Sequence, residues 1–252
     1  MSINQCNISI IGENNIARSF FTIMNRKEGI EVARNDKDKL ASAHLVIETH
    51  NMEQGEKKKA IRYIDEHAPA GATVLTTSMQ WTATEIASWS SYPERVIGFG
   101  AFADAEEAPA IEAAPALQTD PAHMTGVQTL FQSVGKEVEW VDDEVGLVYP
   151  RILAMIINEA AFALMENTAS AEDIDLAMKK GTNYPAGPLE WAEKVGIDNV
   201  FAVLNGLHRQ LGEERYRPAS LIKKLVYAGW VGEETEKGFY HYENRLSKEL
   251  IR

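Results

Sequence analysis

Gly12-Glu13-Asn14-Asn15-Ile16-Ala17 follows the apolar run Asn7-Ile8-Ser9-Ile10-Ile11 and opens a stretch of helical spacing. Such a turn can seat a pyrophosphate, because glycines let the backbone close on the phosphates at a helix N-terminus, where unpaired N–H groups point outward. Gly12 supplies the first glycine of a dinucleotide turn and Ala17 an acceptable third. Asn14 occupies the middle position and would stand where the pyrophosphate must approach. Asparagine tolerates left-handed backbone, so the turn can survive while the seat narrows. Asp36 lies at the spacing of a carboxylate that binds the adenosine ribose. Arg34 would suit a 2′-phosphate, and hence NADP, although a charged residue at a strand end is ordinarily just solvated. Glu48-Thr49-His50 ends the third apolar run, where a loop at the C-terminal edge of a sheet can face a ligand. His50 is therefore read either as a proton-transfer group or as a partly exposed loop side chain. His44, Glu48 and His50 lack a fourth donor for a metal, so no metal is expected. His208 and His241 show no dyad spacing, and Lys57-Lys58-Lys59 reads as a solvated helix face.

The elements that must position these residues are written in the hydrophobic period. After the first strand comes a helix with Ile16, Phe20, Ile23 and Met24 at helical spacing, stopped by Gly29. Further strands are expected at Ile30–Arg34, His44–Glu48, Thr73–Thr76 and Arg95–Gly98, with helices over Glu53–Glu66 and about Thr82–Ser88 between them. Strands alternating with helices predict an α/β Rossmann-like, doubly wound parallel sheet. Beyond Val145 the pattern becomes all-α. Arg151–Met165 is a long apolar helix, Ser170 caps another, Asp198 caps one running to about Leu211, and Pro218–Tyr227 is a last helix ended by Gly229. A strand is expected only at Gly238–Tyr242. The chain thus divides into residues 1–144, a dinucleotide-binding-like half, and residues 145–252, a helical half.

Composition limits what such a chain can do. With 37 acidic and 25 basic residues the net charge is −12, which disfavours nucleic-acid and anionic-membrane partners, since both require clustered Lys and Arg. The single cysteine, Cys6, forms no internal disulfide and fits the reducing cytoplasm. No apolar run approaches the roughly 20 residues of a membrane span, and Met1–Gly12 lacks the order of a signal peptide.

Several motifs in order carry a specific resemblance. Asn158-Glu159-Ala160, Ser170-Ala-Glu-Asp-Ile-Asp175, Tyr184-Pro-Ala-Gly-Pro-Leu-Glu190 and Lys237-Gly-Phe-Tyr240 closely resemble the C-terminal domain of the 3-hydroxyacyl-CoA dehydrogenases. Leu45-Val-Ile-Glu48, Thr84-Glu-Ile-Ala87 and Val96-Ile-Gly98 resemble that family's NAD domain, so nearly the whole chain is covered. The resemblance implies hydride transfer between NAD and carbon 3 of a 3-hydroxyacyl-CoA, in fatty acid metabolism. It implies cofactor contacts at Gly12, Ala17, Asp36 and Glu48, and a homodimer formed through the helical half. It also implies a catalytic histidine oriented by a glutamate.

This chain departs from the family at several of those places. Gly98-Phe99-Gly100-Ala101-Phe102-Ala103-Asp104 resembles the family's catalytic segment, with Gly100 at the histidine and Ala103 at the asparagine that follows it. Met79 stands at the serine that meets the substrate carbonyl, and Pro150 at a functional asparagine, whereas Glu112 retains the orienting carboxylate. The family's helical excursion toward CoA, between the second and third strands, has no room between Asp36 and His44. Loss of a general base costs about 10²–10⁴ in rate, and loss of a carbonyl donor roughly 10²–10³ more. Two readings follow: an oxidoreductase with altered catalytic groups, or a non-catalytic dimeric scaffold or ligand-binding relative.

Overall fold

A computed structural model describes residues 6–242 and divides into two compact units, the division falling between Tyr149 and Pro150. In the first unit the order is β1 (Cys6–Ile11), α1 (Asn15–Asn25), β2 (Ile30–Arg34), α2 (Lys37–Leu40), β3 (Leu45–Glu48) and α3 (Gln54–His67). There follow β4 (Thr73–Thr77), α4 (Ala83–Ala87), β5 (Val96–Gly100), β6 (Ala110–Pro115), α5 (Pro121–Ser133) and β7 (Glu137–Trp140). The strands form one sheet in the order β2-β1-β3-β4-β5-β6-β7. The strands from β2 across to β5 run parallel, and β6 pairs antiparallel with β5. From β1 the chain goes first to β2 on one side and then to β3 on the other, so the strand order reverses between β1 and β3. A crevice at such a reversal, outside the carboxyl ends of the strands, is where doubly wound sheets bind ligands.

Alternation along the strands builds a core on each face. Leu45 and Ile47 join Ile8, Ile10, Phe20 and Phe99 on one side, while Val46 joins Ile61, Ile64, Val74 and Trp81 on the other. Side chains alternate across a strand, so a strand apolar at successive positions must be covered on both faces.

The sequence carries no clear signal for β6 or β7. Alanine-rich segments have low strand propensity, and here pairing with β5 and β7 overrides it. The interval after β2 holds α2, a single short turn of helix capped by Asp36.

The second unit contains α6 (Tyr149–Met165, its first residue still on the α/β side of the division), α7 (Ala171–Thr182), α8 (Pro188–Val195), α9 (Ile197–Leu211) and α10 (Ser220–Tyr227). Ser170 caps α7 through the Asp173 N–H, as its spacing predicts. Two expectations are corrected. Gly196, not Asp198, precedes α9, its positive φ turning the chain directly out of α8. Residues 239–242 are helical, not a strand. Aromatic side chains there mimic a strand pattern, but the described residues of the unit offer no strand to pair with, and the Tyr240 hydroxyl donates to buried Asp175.

Candidate active site

The two lips of the crevice touch. Gly12, at φ +138°, ends β1, and a β-carbon there would collide with Thr49 Oγ1, so only glycine lets the β1 turn close on the loop after β3. The Asn14 carboxamide folds back into this turn. Its Oδ1 accepts the Ala17 N–H at 3.0 Å, capping α1, and its Nδ2 donates to the Thr49 carbonyl at 2.6 Å. The Ala17 N–H, expected to face a phosphate, is thus taken by the Asn14 side chain. Asn35, at φ +50°, exchanges two hydrogen bonds with Gly12, accepting its N–H at 3.0 Å and donating to its carbonyl at 3.2 Å. Asp36, expected at the ribose, directs Oδ1 to the Asp38 and Lys39 N–H groups at the start of α2. The Arg34 guanidinium lies over the Phe21 ring.

Beneath this turn lies a buried ion network that the sequence did not announce. Glu48 is fully buried at the end of β3. Its Oε2 accepts from Lys57 Nζ and from Thr76 Oγ1, both at 2.6 Å. Its Oε1 accepts from the His50 backbone N–H and is 2.8 Å from His50 Nδ1. Lys57 is also fully buried, and its ammonium donates further to the His50 carbonyl at 2.8 Å and to Thr77 Oγ1 at 3.0 Å. Lys57 therefore does not belong to a solvated face. It lies on the inward stripe of α3 with Ala60, Ile61 and Ile64, and that spacing was the available signal.

Burial pushes the Glu48 carboxyl up, but the charge of Lys57, then the hydrogen bond and charge of His50, outweigh it and hold the group at about 2. Burial pulls the Lys57 ammonium down against the opposing pull of Glu48. The carboxylate is ionised and can only accept, so His50 Nδ1 carries the proton of their shared hydrogen bond. In the neutral imidazole this tautomer leaves Nε2 with a lone pair, on a side chain 36% exposed.

Farther along the sheet, Gly100 and Glu112 are partners across the antiparallel β5–β6 pair. Both oxygens of Glu112 accept backbone N–H groups at the start of α6, Val148 at 2.9 Å and Tyr149 at 2.8 Å. Met79 is fully buried just beyond β4.

Known proteins match both halves of the chain. Residues 17–144 match the NAD-binding domain of 3-hydroxyacyl-CoA dehydrogenase and residues 146–242 match its C-terminal domain. A probable 3-hydroxybutyryl-CoA dehydrogenase of Bacillus subtilis is 34% identical over 205 residues, covering 81% of this chain and 71% of that protein. The chain belongs to the 3-hydroxyacyl-CoA dehydrogenase family. Another relative, 3-hydroxybutyryl-CoA dehydrogenase of Bradyrhizobium diazoefficiens, is 34% identical over 211 residues, covering 84% of this chain and 72% of its own. Among solved structures, (S)-3-hydroxybutyryl-CoA dehydrogenase from Ralstonia eutropha superposes with a TM-score of 0.72 at 26% identity, over 92% of this chain and 97% of that one. Mycobacterium tuberculosis FadB2 shares the fold with a TM-score of 0.81 at 20% identity, over 93% of this chain and 98% of that one.

The β5–β6 register sets Gly100 directly opposite Glu112, so a histidine at that position would face the carboxylate. No cluster of metal-binding side chains occurs among the described residues, and no helix among them is long and apolar enough to cross a membrane.

Proposed function

We propose that this chain is an NAD-dependent oxidoreductase acting at carbon 3 of a 3-hydroxyacyl-CoA or a related 3-hydroxy acid, with catalytic groups altered from those of its family. The observation that carries the proposal is the Gly12 turn closed on Thr49 at the strand-order reversal, within a chain that matches both family domains. The turn at Gly12 fits a dinucleotide in part: the glycine keeps a side chain out of it, whereas the Gly12 and Ala17 N–H groups are taken by Asn35 and Asn14. Gly12 and the start of α1 at Ala17 would hold its pyrophosphate, with Asp36 toward the adenosine ribose and the Glu48 loop toward the nicotinamide. When bound, NAD supplies a hydride acceptor in one direction and a donor in the other. The protein must then place the substrate carbon beside it, exclude water, and hold or remove the hydroxyl proton. Asn14 weakens the pyrophosphate seat, because its own carboxamide satisfies the helix start. The relatives' names make a four-carbon acyl-CoA the first substrate to test.

The helical unit would pair two copies. Ile152, Leu176 and Tyr227 are 56%, 51% and 80% exposed and would supply apolar contacts to a second copy.

Gly100 and Met79 favour a second reading, a non-catalytic dimeric scaffold or ligand-binding relative. NADH oxidation with acetoacetyl-CoA at high protein concentration, paired with calorimetric titration of NAD+ and NADH, separates the two. Measurable turnover with cofactor binding supports the oxidoreductase. Binding without turnover supports the ligand-binding relative, and neither supports the scaffold.

A further inference from the structure

Resting on that reading, we infer that His50, oriented by Glu48, is the general acid–base group of this chain, a relocated dyad in place of the one lost at Gly100. A proton-transfer dyad needs an imidazole with one nitrogen fixed by a buried carboxylate and the other accessible. His50 and Glu48 meet both conditions, with Nδ1 2.8 Å from Oε1, Glu48 fully buried and the imidazole partly exposed. The carboxylate is itself immobilised. Lys57 and Thr76 hold its other oxygen, and the His50 N–H binds the same oxygen as the ring. A loop histidine paired by chance would not ordinarily be met by a carboxylate with a donor at every lone pair.

Position agrees with chemistry. His50 follows Thr49, the residue that touches Gly12 and receives the Asn14 amide, so it stands on the lip of the crevice opposite the phosphate turn. The charged groups facing it are Glu48 on β3 and, from α3, Lys57 and Glu56. The Lys57 ammonium, bound to the His50 carbonyl, fixes the backbone of the loop as well as the carboxylate.

In the oxidation direction the substrate hydroxyl gives its proton to His50 Nε2. With NAD bound, the C3 hydrogen would leave with its electron pair, for which the oxidised nicotinamide is the acceptor, and the C3–O bond would become a carbonyl. The imidazolium, its Nδ1–H still on Glu48, then releases the proton to solvent. In reduction the same imidazolium protonates the developing alkoxide as hydride arrives at C3. Lys57, Thr76 and Glu48 act through His50 and are positioning residues.

The test uses the full chain with acetoacetyl-CoA and NADH, comparing the parent with His50→Ala and His50→Gln. The dyad predicts a fall in kcat of about 10²–10⁴ in both variants, NADH affinity unchanged within twofold, and partial rescue of His50→Ala by added imidazole. A second readout does not depend on turnover. Long-range 1H–15N spectra should show His50 as the Nδ1–H tautomer, with its ring resonances moved by NADH. Turnover that survives His50→Ala, or an Nε2–H tautomer, overturns the dyad and leaves the oxidoreductase standing. A parent chain with no turnover overturns both.

Discussion

Replacing Lys57 by methionine is the sharpest perturbation of the site that needs no substrate. The side chain is fully buried, and its ammonium makes hydrogen bonds of 2.6, 2.8 and 3.0 Å to Glu48, the His50 carbonyl and Thr77. Methionine has similar volume, so the cavity contribution is small and the cost is electrostatic. Removing one partner of a buried ion pair typically costs about 3–5 kcal/mol, because the other charge is left uncompensated. The carboxylate has one escape, which is to take up a proton, since without Lys57 burial pushes Glu48 upward. The sign of the pH dependence therefore changes. In the parent, a carboxyl lowered from 4.5 to about 2 contributes stability that is present above the unfolded value and is lost as pH falls through the folded one. In Lys57→Met that contribution disappears, and the variant's deficit should shrink as pH falls toward 4. Urea unfolding followed by tryptophan fluorescence, in a background with Trp191 and Trp230 of the helical unit replaced by phenylalanine, reads the α/β unit at pH 7 and pH 4. In a double-mutant cycle with Glu48→Gln the coupling should exceed about 1 kcal/mol. A cost below about 1 kcal/mol, an additive cycle, or a deficit independent of pH would refute the buried network.

Three further outcomes are expected. In the parent chain, acid titration of stability should show a loss on the order of a few kcal/mol as pH falls from 4.5 toward 2, the window between the ordinary carboxyl and the lowered Glu48, and Glu48→Gln should flatten that window. Asn14→Gly should tighten NADH binding by about tenfold, worth roughly 1.4 kcal/mol, by freeing the Ala17 N–H. The same change also removes the Asn14 bond to the Thr49 carbonyl and should cost about 1 kcal/mol in stability, so tighter binding despite that loss is the signature in paired calorimetry and thermal melts. Glu112→Ala should lower stability by about 1–2 kcal/mol through the two N–H groups it leaves at the start of α6. Unchanged urea midpoints would show that those bonds contribute nothing.

Much of this protein was legible in one dimension. Alternating apolar runs such as Leu45–Ile47 and helical stripes such as Ile16, Phe20, Ile23 and Met24 are local, so period alone marked the β-α alternation and the turn to all-helical structure beyond Val145. Gly12 was legible because a positive φ selects glycine whatever surrounds it. The departures expected at Gly100 and Met79 were legible because they are residue types within recognisable motifs.

Tertiary structure alone decided the rest. An alanine-rich stretch became β6 because partners on both sides offered their hydrogen bonds, which no local propensity records. Lys57 moved from an assumed solvated face to the centre of the site because an acceptor was waiting inside at Glu48, and a charge is buried only where such a partner exists. Asp36 and Glu112 were recognisable as carboxylates in the right places, yet the structure sets each on a helix start. Glu48 and His50 are two residues apart in sequence, yet it is the fold that buries the carboxylate and ties its other oxygen to Lys57 and Thr76. Sequence period and residue type determine which faces are buried and which chemistry is present. Whether two polar groups meet depends on long-range strand register and loop closure, and those are set only when the chain is folded.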